Sequence, residues 1–464
     1  LQSIALAVLK RISSSLSVLA ASALLVTAPV QAAQKARSGP SMIRDAEIEG
    51  LLRSFSKPIF KAASINPNSV KVYVIQDDSI NAFVAGGQRI FVNTGLFTKT
   101  KSPGEVIGVL AHETGHIAGG HLARLNSELE RASTERIIGM LIGAAAMVGG
   151  AAAGSGEAAQ AGQGILAGSQ GLVQRNFLSY QRSMESAADQ AALTFLASIK
   201  ANPEGMLSLF QRMGNDSIAM TSGADPYQFS HPMPFERIRN LEEKVKLSPY
   251  FGQPEDAGQR LRYDLVKAKI IGYTQSPQRV YQRYPSSNKS MPARYARAVA
   301  MYKRGDLANA IPVIESLTDE LPQNPYFWEL KAQAYLEAAQ PALGLEAISE
   351  AKRLLPNNGL IQILNAQLYL LKGSAKDADA AIKLLTLAQK TEGRSPGILK
   401  LQAQAYAIKG DTPRAELATA EFAWATGDRS LAVEKAKAAQ KYFKKGTPEY
   451  TRASDLLTFA EKKK

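Results

Sequence analysis

The chain has 464 residues, 45% of them apolar and 21% charged, with 55 Lys and Arg against 41 Asp and Glu for a net charge of +14. That balance excludes a disordered chain, and the length suits two or three domains with their own cores. There is no cysteine, which excludes a disulfide framework, cysteine-ligated zinc, a thiol nucleophile and a lipid-anchoring cysteine; histidine chemistry is confined to His112, His116, His121 and His231.

Lys10 and Arg11 precede an apolar stretch, Ile12 to Val26, which ends in small residues around Ala32. This is the layout of a secretory signal over residues 1–32, cut after Ala32; a retained membrane anchor is the alternative, for which the stretch is short. An exported protein rarely meets nucleic acid and no nucleic-acid module is present. The basic charge therefore reads as spread over the surface, with attraction to an anionic membrane surface as the weaker reading.

Residues 43–62 have the spacing of an amphipathic helix. Val70–Gln76 reads as a strand, and Ile80–Ala85 and Arg89–Asn93 as two strands joined through Gly86-Gly87. Ser102, Pro103 and Glu105 form a helix start with a capping box, and the helix continues with Val106, Val109, Leu110 and Ile117 on one face. Residues 137–153 carry no charge and are rich in Gly and Ala; with 154–171 they read as a mobile or membrane-touching insertion, a transmembrane helix being the alternative. Another helix spans Ser183–Ile199.

After about residue 258 the chain becomes Ala-rich and repetitive. Tyr302, Tyr335, Tyr369 and Tyr406 are 33, 34 and 37 residues apart, and Leu321-Pro322-Gln323-Asn324 recurs 34 later as Leu355-Pro356-Asn357-Asn358. Gly-Asp pairs occur at 305–306, 410–411 and 427–428. This period is the signature of tetratricopeptide (TPR) repeats, whose stacked helix pairs form a groove suited to polypeptide. The expected fold is an α+β domain over 41–250, mostly helical with a small sheet and interrupted by 137–171, followed by an all-α TPR solenoid over 258–464.

The sharpest chemical signal is His112-Glu113-Thr114-Gly115-His116. Residues four apart on a helix share a face, so both imidazoles can bind one zinc, with Glu113 beside them to handle protons. A catalytic zinc needs a third protein ligand and an open position. On the gluzincin plan that ligand is a Glu from a later helix. Glu185 fits, and Asp189, one turn on, could accept the outer N–H of a ligand imidazole; for each, a solvated helix carboxylate is the plainer reading. The metzincin pattern HExxHxxGxxH is not met, because His121 comes one residue early; a continuing helix would turn it about 100° away, so it reads as structural or as an outer partner of a ligand. His231, in Ser230-His231-Pro232, is either a packed loop histidine or faces the zinc, there steadying an oxyanion or filling the open position. Arg237 either adds positive charge for the oxyanion or pairs with an acid near Glu236. The strand Arg89–Asn93, were it a sheet edge, could bind extended substrate by β-addition; an ordinary interior strand is the plainer reading.

Taken together, residues 81–96 (NAFVAGGQRIFVNTGL), 112–121 (HETGHIAGGH), 185–189 (ESAAD) and 230–232 (SHP), followed by the repeats, resemble the periplasmic TPR-containing zinc metalloproteases. The first half is also similar to the membrane-embedded HtpX heat-shock and CAAX prenyl proteases, although long apolar spans are missing. The resemblance implies one zinc per chain on His112, His116 and Glu185, Glu113 as base, and His231 as a regulatory residue near the metal. It further implies a periplasmic endopeptidase acting on misfolded or stalled envelope proteins in outer-membrane quality control, with some chaperone activity. Its partners would be the barrel-assembly machinery, met through the TPR region. The insertion at 137–171 departs from the family and could touch the membrane. The alternative is a TPR scaffold or chaperone with a dormant peptidase half; the intact HExxH, Glu185 and Asp189 favour the enzyme.

Overall fold

The computed structural model describes residues 41–124, 127, 180–219, 231 and 235–461. The expected signal (1–32) and insertion (137–171) lie outside the described residues. Within them the chain is mostly helical with one small sheet, the expected α+β class, and ends in a long run of paired helices.

The first helix, α1 (Ala46–Ala62), starts three residues later than the hydrophobic spacing predicts. Asp45 stops it there: its carboxylate accepts from the Glu47 and Ile48 amides at 3.0 and 2.9 Å. The buried face carries Ile48, Leu51, Leu52, Phe55, Ile59 and Phe60 at helical spacing. Of the four strands, β1 is only Met42–Ile43; β2 (Lys71–Ile75), β3 (Ala82–Ala85) and β4 (Arg89–Asn93) form the body of a sheet ordered β1-β2-β4-β3. Strand β4 runs parallel to β2, with Lys71 opposite Arg89, and antiparallel to β3, with Ala82 opposite Val92. Tyr73, Phe91 and Phe83 stack across the three strands at 5.2 and 5.3 Å between ring centroids. This decides between the two readings of Arg89–Asn93. Strand β4 is interior, its backbone groups are used on both sides, and it has no edge to offer an extended peptide. Among the described residues, the edge on this side of the sheet is β3.

Strand β4 leads through α2 (Thr94–Lys99) into α3 (Pro103–Ala118), the helix with the histidines. The Ser102 hydroxyl accepts from the Glu105 amide at 3.4 Å, as a cap should. The capping box does not close reciprocally, however. The Glu105 carboxylate accepts instead from the Lys101 amide at 2.8 Å and is clamped by Arg212 at 2.9 and 2.8 Å. Arg212 lies on α5 (Glu204–Ala219), which follows α4, residues 180–198. Burial opposes ionisation of Glu105, but Arg212 and the Lys101 amide outweigh it and lower its pKa. A lowered folded pKa means the stabilisation is present above the unfolded value of 4.5 and is lost as pH falls through the folded one. Arg212→Met is therefore expected to cost about 1–3 kcal/mol at pH 7, because it leaves a buried carboxylate unpaired. The cost should shrink in acid. Denaturant titration at both pH values checks this, and an equal cost at each would remove the charge argument.

The core of the first region combines α1, the sheet, α3, α4, α5 and α6 (Phe235–Lys246) with Tyr263, Val266 and Ile270 of α7 (Ala257–Thr274). The other face of α7, with Leu265, Ala268 and Ile271, enters the next core. Lys269 is buried between them, its ammonium 2.7 Å from Asp45 and 3.4 Å from Glu47, and the Tyr295 hydroxyl donates to Glu47 at 2.6 Å. One helix thus belongs to the core of the first region and to the core of the paired helices, and a buried ion group spans the junction.

Beyond it the motifs that recur in sequence recur as turns. Asn324 and Asn358 cap the helices Pro325–Glu337 and Gly359–Lys372, their side chains accepting from Tyr326 and Leu360 amides at 2.9 and 3.0 Å. Each of the four spaced tyrosines sits near the end of the first helix of a pair. Gly410 and Gly427 end their helices in the left-handed region, and the following Asp411 and Asp428 cap the next. The period therefore records alternating helix ends and helix starts.

Candidate metal centre

Helix α3 places His112 and His116 one turn apart, and α4 places Glu185 and Asp189 one turn apart. The two helices meet at Gly115, where a Cβ would come 2.8 Å from the Ala188 carbonyl oxygen. Only backbone-level contact brings both pairs to one focus. His112 Nε2 and His116 Nε2 are 3.0 Å apart, and Glu185 lies 3.3 Å from the first and 3.4 Å from the second. His231 adds a fourth donor: its Nδ1 is 3.1 Å from both Glu185 oxygens and 3.3 Å from His112 Nε2. The donor atoms of all four residues lie within 4.8 Å of one another.

Donors held about 2.0–2.1 Å from a tetrahedral zinc stand about 3.3 Å apart. The spacings here match, and three imidazoles with one carboxylate are a zinc-type donor set. The residues fit the ion, and zinc is the cofactor.

The surrounding groups hold these donors in place. Asp189 sits 2.9 Å from His112 Nδ1, on the outer side of that ring. Arg237, on α6, clamps Asp189 through Nε and Nη2 at 2.7 and 2.8 Å and reaches Glu185 through Nη1 at 2.8 Å. Its guanidinium lies over the Phe210 ring, 5.3 Å from the centroid. Of the two readings of Arg237, the geometry is that of pairing with acids, and the acids are Asp189 and Glu185. His121 faces His116 from the other side, Nδ1 to Nδ1 at 3.0 Å. The expected 100° rotation does not apply, because α3 ends at Ala118 and the chain turns at Gly119-Gly120 before His121.

Burial works against charge on Glu185, but hydrogen bonds from His112, His116 and His231 outweigh it and hold its carboxyl far below the usual range. Burial likewise opposes the Asp189 carboxylate, yet Arg237 and His112 lower it to about 2. His112 is raised to about 9: burial disfavours its cation, and the Asp189 and Glu185 carboxylates prevail. Glu113 is different. It is fully buried, both its oxygens lack a hydrogen-bond partner, and burial pushes it up to about 7 against the pull of His116 and His112. His231 Nε2 approaches it at 3.5 Å.

The structure thus brings His112, Glu113, His116, Glu185, Asp189, His231 and Arg237 into one site. Sequence reading did not single out Gly115, Ala188 or Phe210, which set the approach of the helices and back the rings. The small residues inside HETGH and ESAAD were the available signal for the first two.

Comparison with known proteins agrees with this geometry. Residues 45–245 match Peptidase family M48. The chain is 24% identical over 413 residues to the beta-barrel assembly-enhancing protease of Yersinia pestis, covering 87% of this chain and 82% of that protein. It is 21% identical to its Escherichia coli K12 counterpart, covering 90% and 83%. The mitochondrial metalloendopeptidase OMA1 of Schizosaccharomyces pombe is 27% identical over 190 residues, covering 40% of this chain and 50% of that protein.

Proposed function

We propose that this chain, a metalloprotease whose residues 45–245 match peptidase family M48, is a zinc endopeptidase of the periplasm. Its substrates in this reading are misfolded or stalled envelope proteins, and its setting is outer-membrane protein assembly. His112, His116 and Glu185 hold the ion, Asp189 orients His112, and Arg237 neutralises the carboxylates behind the site. The carrying observation is the common focus of those three donors beside a Glu113 with two unpartnered oxygens.

When bound, zinc polarises a peptide carbonyl and makes water a stronger acid. Glu113, with a pKa near neutrality, accepts the proton of the attacking water and passes it to the leaving amine. Its burial keeps bulk water from competing for those oxygens. The paired helices from residue 257 onward are read as TPR units that hold clients or the barrel-assembly machinery. The relatives named for β-barrel assembly, similar along most of the chain, support that reading. The N-terminal signal-like segment supports export. Among the described residues no helix is long and apolar enough to cross a membrane; contact of residues 137–171 with the membrane surface is part of the proposal.

A second reading, of a latent enzyme, rests on His231. A catalytic zinc keeps an open position, whereas four protein ligands close the site. His231 Nδ1 stands among the other donors and its Nε2 crowds Glu113. We read this as the closed state of a functional enzyme. His231→Ala is expected to keep zinc on the remaining three ligands and to raise the rate at which an unfolded protein such as casein is cut. An unchanged or lower rate would show that His231 does not block the site.

A further inference from the structure

We propose that His121 is a positioning residue for zinc, fixing the ring of His116 through a ring-to-ring hydrogen bond at Nδ1. The inference rests on the zinc reading above, because it takes His116 to bind through Nε2. The two Nδ1 atoms are 3.0 Å apart, and the rings meet edge to face with centroids 4.9 Å apart. Such a pair needs one proton between them: one nitrogen donates and the other accepts. His116 Nε2 faces His112 and Glu185 at 3.0 and 3.4 Å, so its lone pair is turned into the donor cluster. The His116 proton therefore sits on Nδ1 and is donated outward. His121 accepts it with a neutral ring that keeps its own proton on Nε2.

The backbone is shaped for this contact. Helix α3 ends at Ala118, and Gly120 takes φ +63°, a conformation that costs about 1–2 kcal/mol for other residues. A side chain at Gly119 would collide with the His121 ring, which lies where that Cβ would be. His121 is only 6% exposed. Two consecutive glycines thus fold the chain back so that His121 reaches the outer nitrogen of a ligand near the helix end. The two ligand imidazoles end with unlike partners, a carboxylate for His112 and a neutral imidazole for His116. Outer partners of this kind fix the tautomer and ring direction of a metal-binding histidine.

The test measures zinc affinity of the full chain by chelator competition, together with the rise in unfolding midpoint on adding zinc. His121→Phe keeps a buried ring without an acceptor. His121→Asn places an amide oxygen where Nδ1 stands. His121→Phe is expected to weaken zinc binding about 10- to 100-fold, and His121→Asn to restore most of it. The metal-free midpoints should match the wild type. Wild-type affinity in His121→Phe, or equal losses in both variants, would overturn the proposal. Should His121→Phe fail to fold, the wild-type chain decides: with four histidines, its nitrogen-15 spectrum in the zinc-loaded state should show His121 unprotonated at Nδ1, and a proton there refutes the assignment. Failure of the parent reading looks different, since the wild type itself would then take up no zinc.

Discussion

Glu113→Gln is expected to leave zinc in the purified chain and to lower cleavage of an unfolded protein by about 10²- to 10⁴-fold, the range lost when a positioned base is removed. Gln has nearly the shape of Glu, and Glu113 is not among the residues whose donor atoms converge. What disappears is a carboxylate whose two oxygens are buried and free of hydrogen bonds. In most buried sites an unpartnered carboxylate is a cost with no return. Beside a zinc-type donor set, the proposed mechanism makes it the place where a water and a peptide nitrogen exchange a proton. Metal analysis and a casein digest on the same preparation check both halves. Cleavage kept within a few-fold, or zinc lost along with it, would sink the role. The variant should also hold clients without cutting them, which would make it the means of identifying natural substrates.

His112→Ala and Glu185→Ala should each empty the site, so that purified protein falls from about one zinc per chain toward none. The loss should exceed the roughly 10- to 100-fold that changing an outer partner costs, because a direct bond to the ion is removed. Glu185→Ala has a further effect. It removes one of the two carboxylates that Arg237 pairs with, leaving the Asp189 clamp to hold that cation. Its unfolding midpoint should therefore fall more than that of His231→Ala. Zinc content unchanged by both substitutions would dissolve the site and leave only the helical adaptor.

Several features are readable from the amino-acid order because they are local. The i and i+4 spacing of His112 and His116 is a property of the helix itself, and the Ser102-Pro103 start fixes where that helix begins. The period near 34 is legible for the same reason: Asn324 and Asn358 cap helices through their own next few amides. Glu105 reads as half of a capping box, but a partner 107 residues away claims its carboxylate. Strand β4 reads as a possible edge, since no property of five residues says which neighbours will flank them.

The helices, the turn that pairs β3 with β4, the repeat and the residue types able to hold zinc are therefore written in the chain itself. Hydrogen bonding within a few residues and the 3.6-residue turn suffice to encode them. Other features exist only once the chain has packed: Glu185 and His231 converge with the histidines, Arg237 serves the two carboxylates, His121 folds back on His116, and α7 belongs to two cores. These depend on which faces are driven together when apolar surface leaves water. That force has no direction along the chain, so what meets at a distance is set by the packing of the whole.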